Sequence, residues 1–293
     1  MNKIFWIFTL LAALLVAACG GDSSSSNGIT ETNACGSLGL TAAAAPAGSS
    51  TTSSANSLSA KALTLDAKIV NGTACNVSNN SPVVALILYS GSTQYLCSGT
   101  MISANKVLTA AHCFEGVSAV DVVFGIEDGT LRKVNALNWS SHPNFTRTPF
   151  ELLNDVAVVN IGRDLPLPSL AISVSTTPSA GETVAIFGYG LTSGSASDAG
   201  VLRSGSMKVS GISETSITAV YQANRSSTCF GDSGGPLLFT VGGRPSLVGV
   251  TSTGLRDSTT AECSVNEQEL FTRLQSAVVA NYLRSVAPDA VFN

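Results

Sequence analysis

From Ile69 onward the chain is made of short apolar runs that turn residues keep interrupting, and this punctuation restricts its fold more than any other feature. The runs are Val83–Leu88, Val120–Phe124, Val156–Val159, Val184–Phe187 and Leu247–Val250. β-branched residues dominate them, and clusters of Gly, Pro, Asn and Ser separate them. Runs this short do not make most helices, but they suit strands buried in a barrel or sandwich. Only the tail differs: Val278, Val279, Tyr282, Leu283 and Val286 recur at helical spacing within Gln275 to Val286. The expectation is an all-β unit over 69–293 with one C-terminal helix.

The first 68 residues have another texture. Lys3 precedes an apolar run from Ile4 to Ala18, broken only by Thr9. A bilayer-spanning helix needs about 20 apolar residues, so this run fits the core of an export signal better. It ends in Leu15-Val16-Ala17-Ala18-Cys19, which resembles a bacterial lipobox. That resemblance implies a signal over 1–18, lipid on Cys19 and attachment to a membrane. Gly20 rather than Asp follows Cys19, which favours the outer membrane in a Gram-negative host. Residues 19–68 are rich in Ser, Ala, Thr, Gly and Asn and lack aromatics, so little apolar surface is available to offset ordering. They are read as a flexible tether and pro-segment.

Charged residues are 12% of the chain and the formal net charge is -4, so there is no strong field to attract nucleic acid. The 7 cysteines show no CxxC pair and there are 2 histidines, which argues against a zinc site. With Cys19 assigned to lipid, six cysteines remain for disulfides in an exported protein.

Three local motifs carry chemistry. They are Leu108-Thr109-Ala110-Ala111-His112-Cys113, Leu153-Asn154-Asp155-Val156-Ala157-Val158 and Cys229-Phe230-Gly231-Asp232-Ser233-Gly234-Gly235-Pro236. A serine hydroxyl is a weak nucleophile unless a neighbouring base removes its proton, and a carboxylate can hold that base in one tautomer. Motifs, order and spacing resemble the chymotrypsin-like serine endopeptidases from Ile69 to about Val286. The resemblance implies two six-stranded antiparallel barrels, with a boundary near 165–180 and the active site at their junction. It implies that His112, Asp155 and Ser233 form the triad, and that the Gly231 and Ser233 N–H groups form the oxyanion hole. His142, in Ser141-His142-Pro143, is the rival histidine and is read as structural. Substrates would be proteins or peptides, and no cofactor or metal is needed.

Further roles follow from the same resemblance. Ile69-Val70-Asn71-Gly72 resembles the family's activation N-terminus, with Lys68 before the cut. An activating protease would free an ammonium on Ile69 to pair with Asp232. Cys97 with Cys113, and Cys229 with Cys263, resemble two family bridges. Cys35 and Cys75 are left over, which leaves a Cys35–Cys75 bridge as the remaining pairing. Ser252 and Gly254 resemble the strand that pairs with substrate backbone, and Thr253 stands where many relatives carry Trp. Ser227 occupies the pocket base, where strict Arg or Lys specificity would need Asp. A neutral base favours Phe, Tyr or Leu, while Glu269, on the pocket wall or else facing solvent, would admit Lys or Arg as a weaker second class. Two other readings stand beside the protease: a lipoprotein adhesin on an inactive protease fold, and a periplasmic quality-control protease.

Overall fold

The computed structural model describes residues 33–43, 69–77, 81–125, 131–222, 225–255, 263 and 268–293. The expected signal, the lipidation site Cys19 and the cleavage residue Lys68 lie outside them. Among the described residues no helix is long and apolar enough to cross a membrane.

A two-residue strand, β1 (Thr73–Ala74), precedes the first barrel. That barrel comprises β2 (Val83–Ser90), β3 (Thr93–Ser103), β4 (Lys106–Thr109), β5 (Ala119–Gly125), β6 (Leu131–Ser141) and β9 (Ala157–Ile161). It closes in the order β2-β3-β4-β9-β6-β5, all antiparallel. Closure leaves no unpaired edge, so every strand has a hydrogen-bonded neighbour on both sides. Two short strands, β7 (Thr146–Arg147) and β8 (Leu152–Leu153), pair beside it.

Residues 162–182 connect β9 to the second barrel. Its strands are β10 (Thr183–Gly188), β11 (Arg203–Ile212), β12 (Ser216–Val220), β13 (Pro236–Val241), β14 (Arg244–Leu255) and β15 (Gln268–Arg273). The ladder runs β11-β10-β13-β14-β15-β12, and the β11–β12 pairing closes it. β1 adds to β11 through Thr73–Ser204 and Ala74–Arg203. The fold class is therefore as expected: two six-stranded antiparallel barrels and a C-terminal helix, α1 (Ala277–Val286).

The apolar runs fill the interiors. Val83, Val84, Leu86 and Leu88 of β2 are buried with Val107, Val122 and Val159. Val184, Ile186, Val248 and Phe271 form the core of the second barrel, and Ile69 joins them. Tyr189, just past β10, packs with the first-barrel core, and its hydroxyl donates to the Val83 carbonyl at 3.2 Å. The two barrels thus share packed side chains where the site forms.

One expectation needs correction. Residues 33–43, assigned by composition to the flexible tether, are folded against the second barrel. Cys35 is bonded to Cys75, Ala34 and Leu40 are buried, and the Ala34 N–H donates to Ser204 Oγ at 2.9 Å. Ala43 and Asn76 N–H groups complete a backbone pairing with Ala74 and Thr41. A covalent link and backbone hydrogen bonds hold this stretch, neither of which depends on apolar content.

Candidate active site

His112 lies on a single 3-10 turn, Ala111–Phe114, that follows β4. Asp155 sits between β8 and β9, just after Asn154, whose φ of 53° makes the chain turn sharply into the next strand. Both therefore belong to the first barrel. Ser233 comes from the second, in the segment between β12 and β13. The Cys97–Cys113 bridge ties the histidine turn to β3, and Cys229–Cys263 ties the serine segment to the chain before β15.

Asp155 is fully buried, and each oxygen has a purpose. Oδ1 accepts the His112 backbone N–H at 2.8 Å. Oδ2 lies 2.7 Å from His112 Nδ1 and accepts the Ser252 hydroxyl at 2.6 Å. Burial pushes this carboxyl up, but the hydrogen bonds and charge of His112 and the Ser252 hydroxyl outweigh burial. The net result holds Asp155 below its ordinary range, ionised at neutral pH. Sequence reasoning gave Ser252 only a substrate-pairing role, and its hydroxyl on Asp155 is new. Thr272, which also escaped notice, donates to the Asp155 carbonyl at 3.2 Å.

Ser233 is fixed through its backbone. Its carbonyl accepts the Ser98 N–H at 2.8 Å, and the Gly234 N–H donates to Thr251 at 2.8 Å. Gly234 has a φ of 81°, and a Cβ there would lie 2.4 Å from the Ser98 carbonyl oxygen. No other residue fits that crossing between the barrels. Gly231 has a φ of 95°, and its carbonyl accepts the Ser98 hydroxyl at 2.8 Å. The Gly231 and Ser233 N–H groups donate to nothing among the described hydrogen bonds, and both residues line a cleft shared with His112.

Asp232 points the other way and is fully buried. Its carboxylate accepts N–H groups of Gly190 at 2.8 Å and Cys229 at 2.9 Å. Burial pushes its carboxyl up to about 7, against the pull of those two bonds and of the Arg203 charge. Arg203 was not anticipated. It is wholly buried, donates to the Gly190 and Asp198 carbonyls and pairs with Asp198 at 3.7 Å. An arginine in a weakly apolar strand gives no sequence signal. Ile69 is also fully buried, and Val70 next to it forms a β-bridge with Ser227.

A cleft of about 250 Å³ opens beside Ser233, and Thr228, Thr253, Gly254, Cys263 and Glu269 contribute to its walls. Glu269 does not face solvent. It is 4% exposed, and Ser227 Oγ donates to its Oε1 at 3.2 Å. A second cleft of about 530 Å³ shares His112, Phe230 and Ser233 and extends to Tyr95, Leu96 and Leu191.

His142 lies elsewhere. It is buried beside α1, its Nδ1 accepts the Asn144 N–H at 3.1 Å, and its ring packs on Tyr282 at 4.6 Å. Burial pushes its pKa down, disfavouring the charged form. Among the described residues the one cluster of metal-ligating types is Cys97, His112 and Cys113, and its sulfurs are already bonded to each other.

Two barrels, a buried Asp–His pair and a serine turn at their junction define a class, the barrel-type serine endopeptidases. The comparisons agree: the Trypsin family model matches residues 69–278, and the chain belongs to that family. A chymotrypsin from Phaedon cochleariae is 30% identical over 193 residues, covering 58% of this chain and 69% of the relative. Brachyurin from Leptuca pugilator is 32% identical over 202 residues, covering 61% and 83%. Trypsin alpha from Drosophila melanogaster is 33% identical over 214 residues, covering 65% and 78%. The protein is a serine endopeptidase, acting on protein or peptide substrates.

Proposed function

We propose that the protein is an exported, lipid-anchored protease made as a zymogen, with His112, Asp155 and Ser233 as its triad. The observation that carries this reading is the buried Asp155 carboxylate, 2.7 Å from Nδ1 of His112, whose ring lines the same cleft as Ser233. Asp155 fixes the ring so that Nε2 takes the proton of Ser233 as the hydroxyl attacks the peptide carbonyl. The Gly231 and Ser233 N–H groups receive the developing oxyanion, and His112 then protonates the departing amine. Water hydrolyses the acyl-enzyme by the same steps in reverse order.

Cleavage after Lys68 is the activating event in this reading. The support is Asp232, a fully buried carboxyl whose titration is pushed into the neutral range. A new ammonium on Ile69 would supply the charge that a buried carboxylate needs. Val70 already pairs with Ser227, so seating Ile69 also sets the pocket base. Lipid on Cys19 would hold the enzyme at a membrane, the outer one in a Gram-negative host. Secreted Ser233→Ala protein should keep its three disulfides and its thermal transition but lose all labelling by a fluorophosphonate. Wild type that is cut after Lys68, well folded and still unlabelled would favour the adhesin reading instead.

A further inference from the structure

The segment that presents Gly231 and Ser233 is shaped by a neighbour. Residues 189–201, between β10 and β11, fold against it and meet it at three consecutive positions. The Leu191 N–H donates to the Phe230 carbonyl at 2.8 Å, and the Gly190 N–H donates to Asp232 Oδ1 at 2.8 Å. Between them, a Cβ on Gly231 would lie 2.9 Å from the Gly190 Cα, so the two backbones are in contact. The bond to Phe230 has a direct consequence. The Phe230 carbonyl and the Gly231 N–H belong to one peptide plane and point opposite ways. Holding that carbonyl on Leu191 therefore sets the direction of the Gly231 N–H. Residues 189–201 are themselves gathered around one side chain. Arg203, the first residue of β11, is wholly buried. Its Nη1 donates to the Gly190 carbonyl at 2.8 Å and the Val201 carbonyl at 3.3 Å, and its Nη2 donates to the Asp198 carbonyl at 2.9 Å. The Asp198 carboxylate, 3.7 Å from Nη2, accepts the Thr192 N–H at 3.2 Å. A guanidinium is costly to bury, and its rigid planar fork suits several carbonyls at once. Its own backbone is fixed by pairing with Gly188 of β10 and Ala74 of β1. Arg203 lines neither cleft beside Ser233, so it acts only through these neighbours.

We infer that Arg203 is a positioning residue for the oxyanion hole: its guanidinium pins the Gly190 and Asp198 carbonyls, and the pinned Gly190-Leu191 backbone turns the Phe230–Gly231 peptide so that the Gly231 N–H faces the cleft. The inference rests on the triad and oxyanion reading above and adds a residue that never meets the substrate. Gly190 is the link, since Arg203 holds its carbonyl and Asp232 holds its N–H. The Arg203 charge works in the same direction, pulling the Asp232 carboxyl down against burial. Without the guanidinium the Phe230–Gly231 peptide is no longer held in one orientation. The donor then serves the tetrahedral intermediate less well, while the clefts that bind the ground state keep their walls.

The test compares wild type, Arg203→Met and Arg203→Lys as full-length chains, each cut after Lys68 by an added lysine-specific protease that is then removed. The substrate is the library peptide that wild type cuts fastest. Two probes carry its residues before the cut, one ending in an aldehyde and the other in the matching alcohol. The aldehyde adds Ser233 and places an oxyanion on the donors, whereas the alcohol only fills the cleft. Arg203→Met should lose at least ~10-fold in kcat with KM within ~2-fold, and bind the aldehyde at least ~10-fold more weakly with the alcohol unchanged. Arg203→Lys, which keeps the charge but not the planar fork, should fall between the two with the same split. Should Arg203→Met fail to fold, the lysine variant decides alone, and aldehyde affinity down at least ~3-fold with the alcohol unchanged bears the inference out. Equal weakening of aldehyde and alcohol, or of neither, overturns it, because a residue that only stabilises the fold would not tell them apart. Folded Arg203→Met with wild-type kcat overturns it as well. Wild type that hydrolyses no peptide overturns the protease reading and the inference with it.

Discussion

Asp155 and Asp232 are both carboxyls without solvent exposure, yet their surroundings drive them apart. Asp155 has a histidine and two hydroxyl or amide donors on its oxygens, and these overcome burial. Asp232 has two backbone N–H groups and a more remote arginine charge, and burial wins. This difference gives a pH signature. In the uncut chain the folded state keeps a proton on Asp232 up to about 7, whereas an unfolded aspartate releases it near about 4. The group's contribution to stability is therefore full below about pH 4 and is lost as the pH rises towards 7. Thermal unfolding of uncut Ser233→Ala protein should show a Tm that falls over this window. Asp232→Asn should flatten the fall, and cleavage after Lys68 should do so too by providing an ammonium. A slope unchanged by Asp232→Asn would show that this carboxyl is not what titrates.

At the scale of elements, β6 and α1 show what different forces do. β6 reads Leu-Arg-Lys-Val-Asn-Ala-Leu-Asn-Trp-Ser-Ser and is exposed along much of its length. No apolar run marks it, and it is a strand because ladders to β5 and β9 satisfy its backbone on both sides. Helix α1 is marked by its periodicity, and its buried face carries Val279, Ala280, Tyr282 and Leu283. His142 and Tyr282 join it to the first barrel: the Tyr282 hydroxyl donates to the Ser140 carbonyl, and His142 N–H donates to Val156 at 2.9 Å. Replacing His142 by Ala removes a buried ring from this seam. It should cost about 1–3 kcal/mol, read as a lower Tm, with kcat/KM within about two-fold of wild type. A stable His142→Ala protein with a large loss of turnover would mean that the wrong histidine had been placed in the triad.

For the whole molecule, the Cys35–Cys75 bridge decides what cleavage does. Residues 33–43 dock on β1 and β11, so cutting after Lys68 leaves the pro-segment bonded to the catalytic unit. Activated enzyme should run as one species without reductant and as two chains with it. Mass mapping under non-reducing conditions should recover the Cys35–Cys75 cross-link. Cys35→Ser should release activated enzyme from membranes, if Cys19 carries lipid. Release of wild type without reductant would contradict the tether.

Sequence alone determined a good deal: the all-β class, the helix at the tail, and His112, Asp155 and Ser233 as the residues to watch. Local patterns carry that information. A barrel strand buried on its inner face needs β-branched residues, and the serine turn needs glycine at 231 and 234. Long-range partners leave no such pattern. The Ser252 hydroxyl meets Asp155 across 97 positions, and the Ser98 hydroxyl meets Gly231 across 133. Arg203 is an ordinary charged residue until the fold buries it beside Asp198 and Gly190. Glu269 could have faced either water or the pocket, because strand alternation gives a side only once the register is known. Pairing with Gly254 and Ala219 settled that register and turned the carboxylate inward. Composition likewise placed 33–43 in a tether, and only tertiary contacts, one of them covalent, packed it against the barrel.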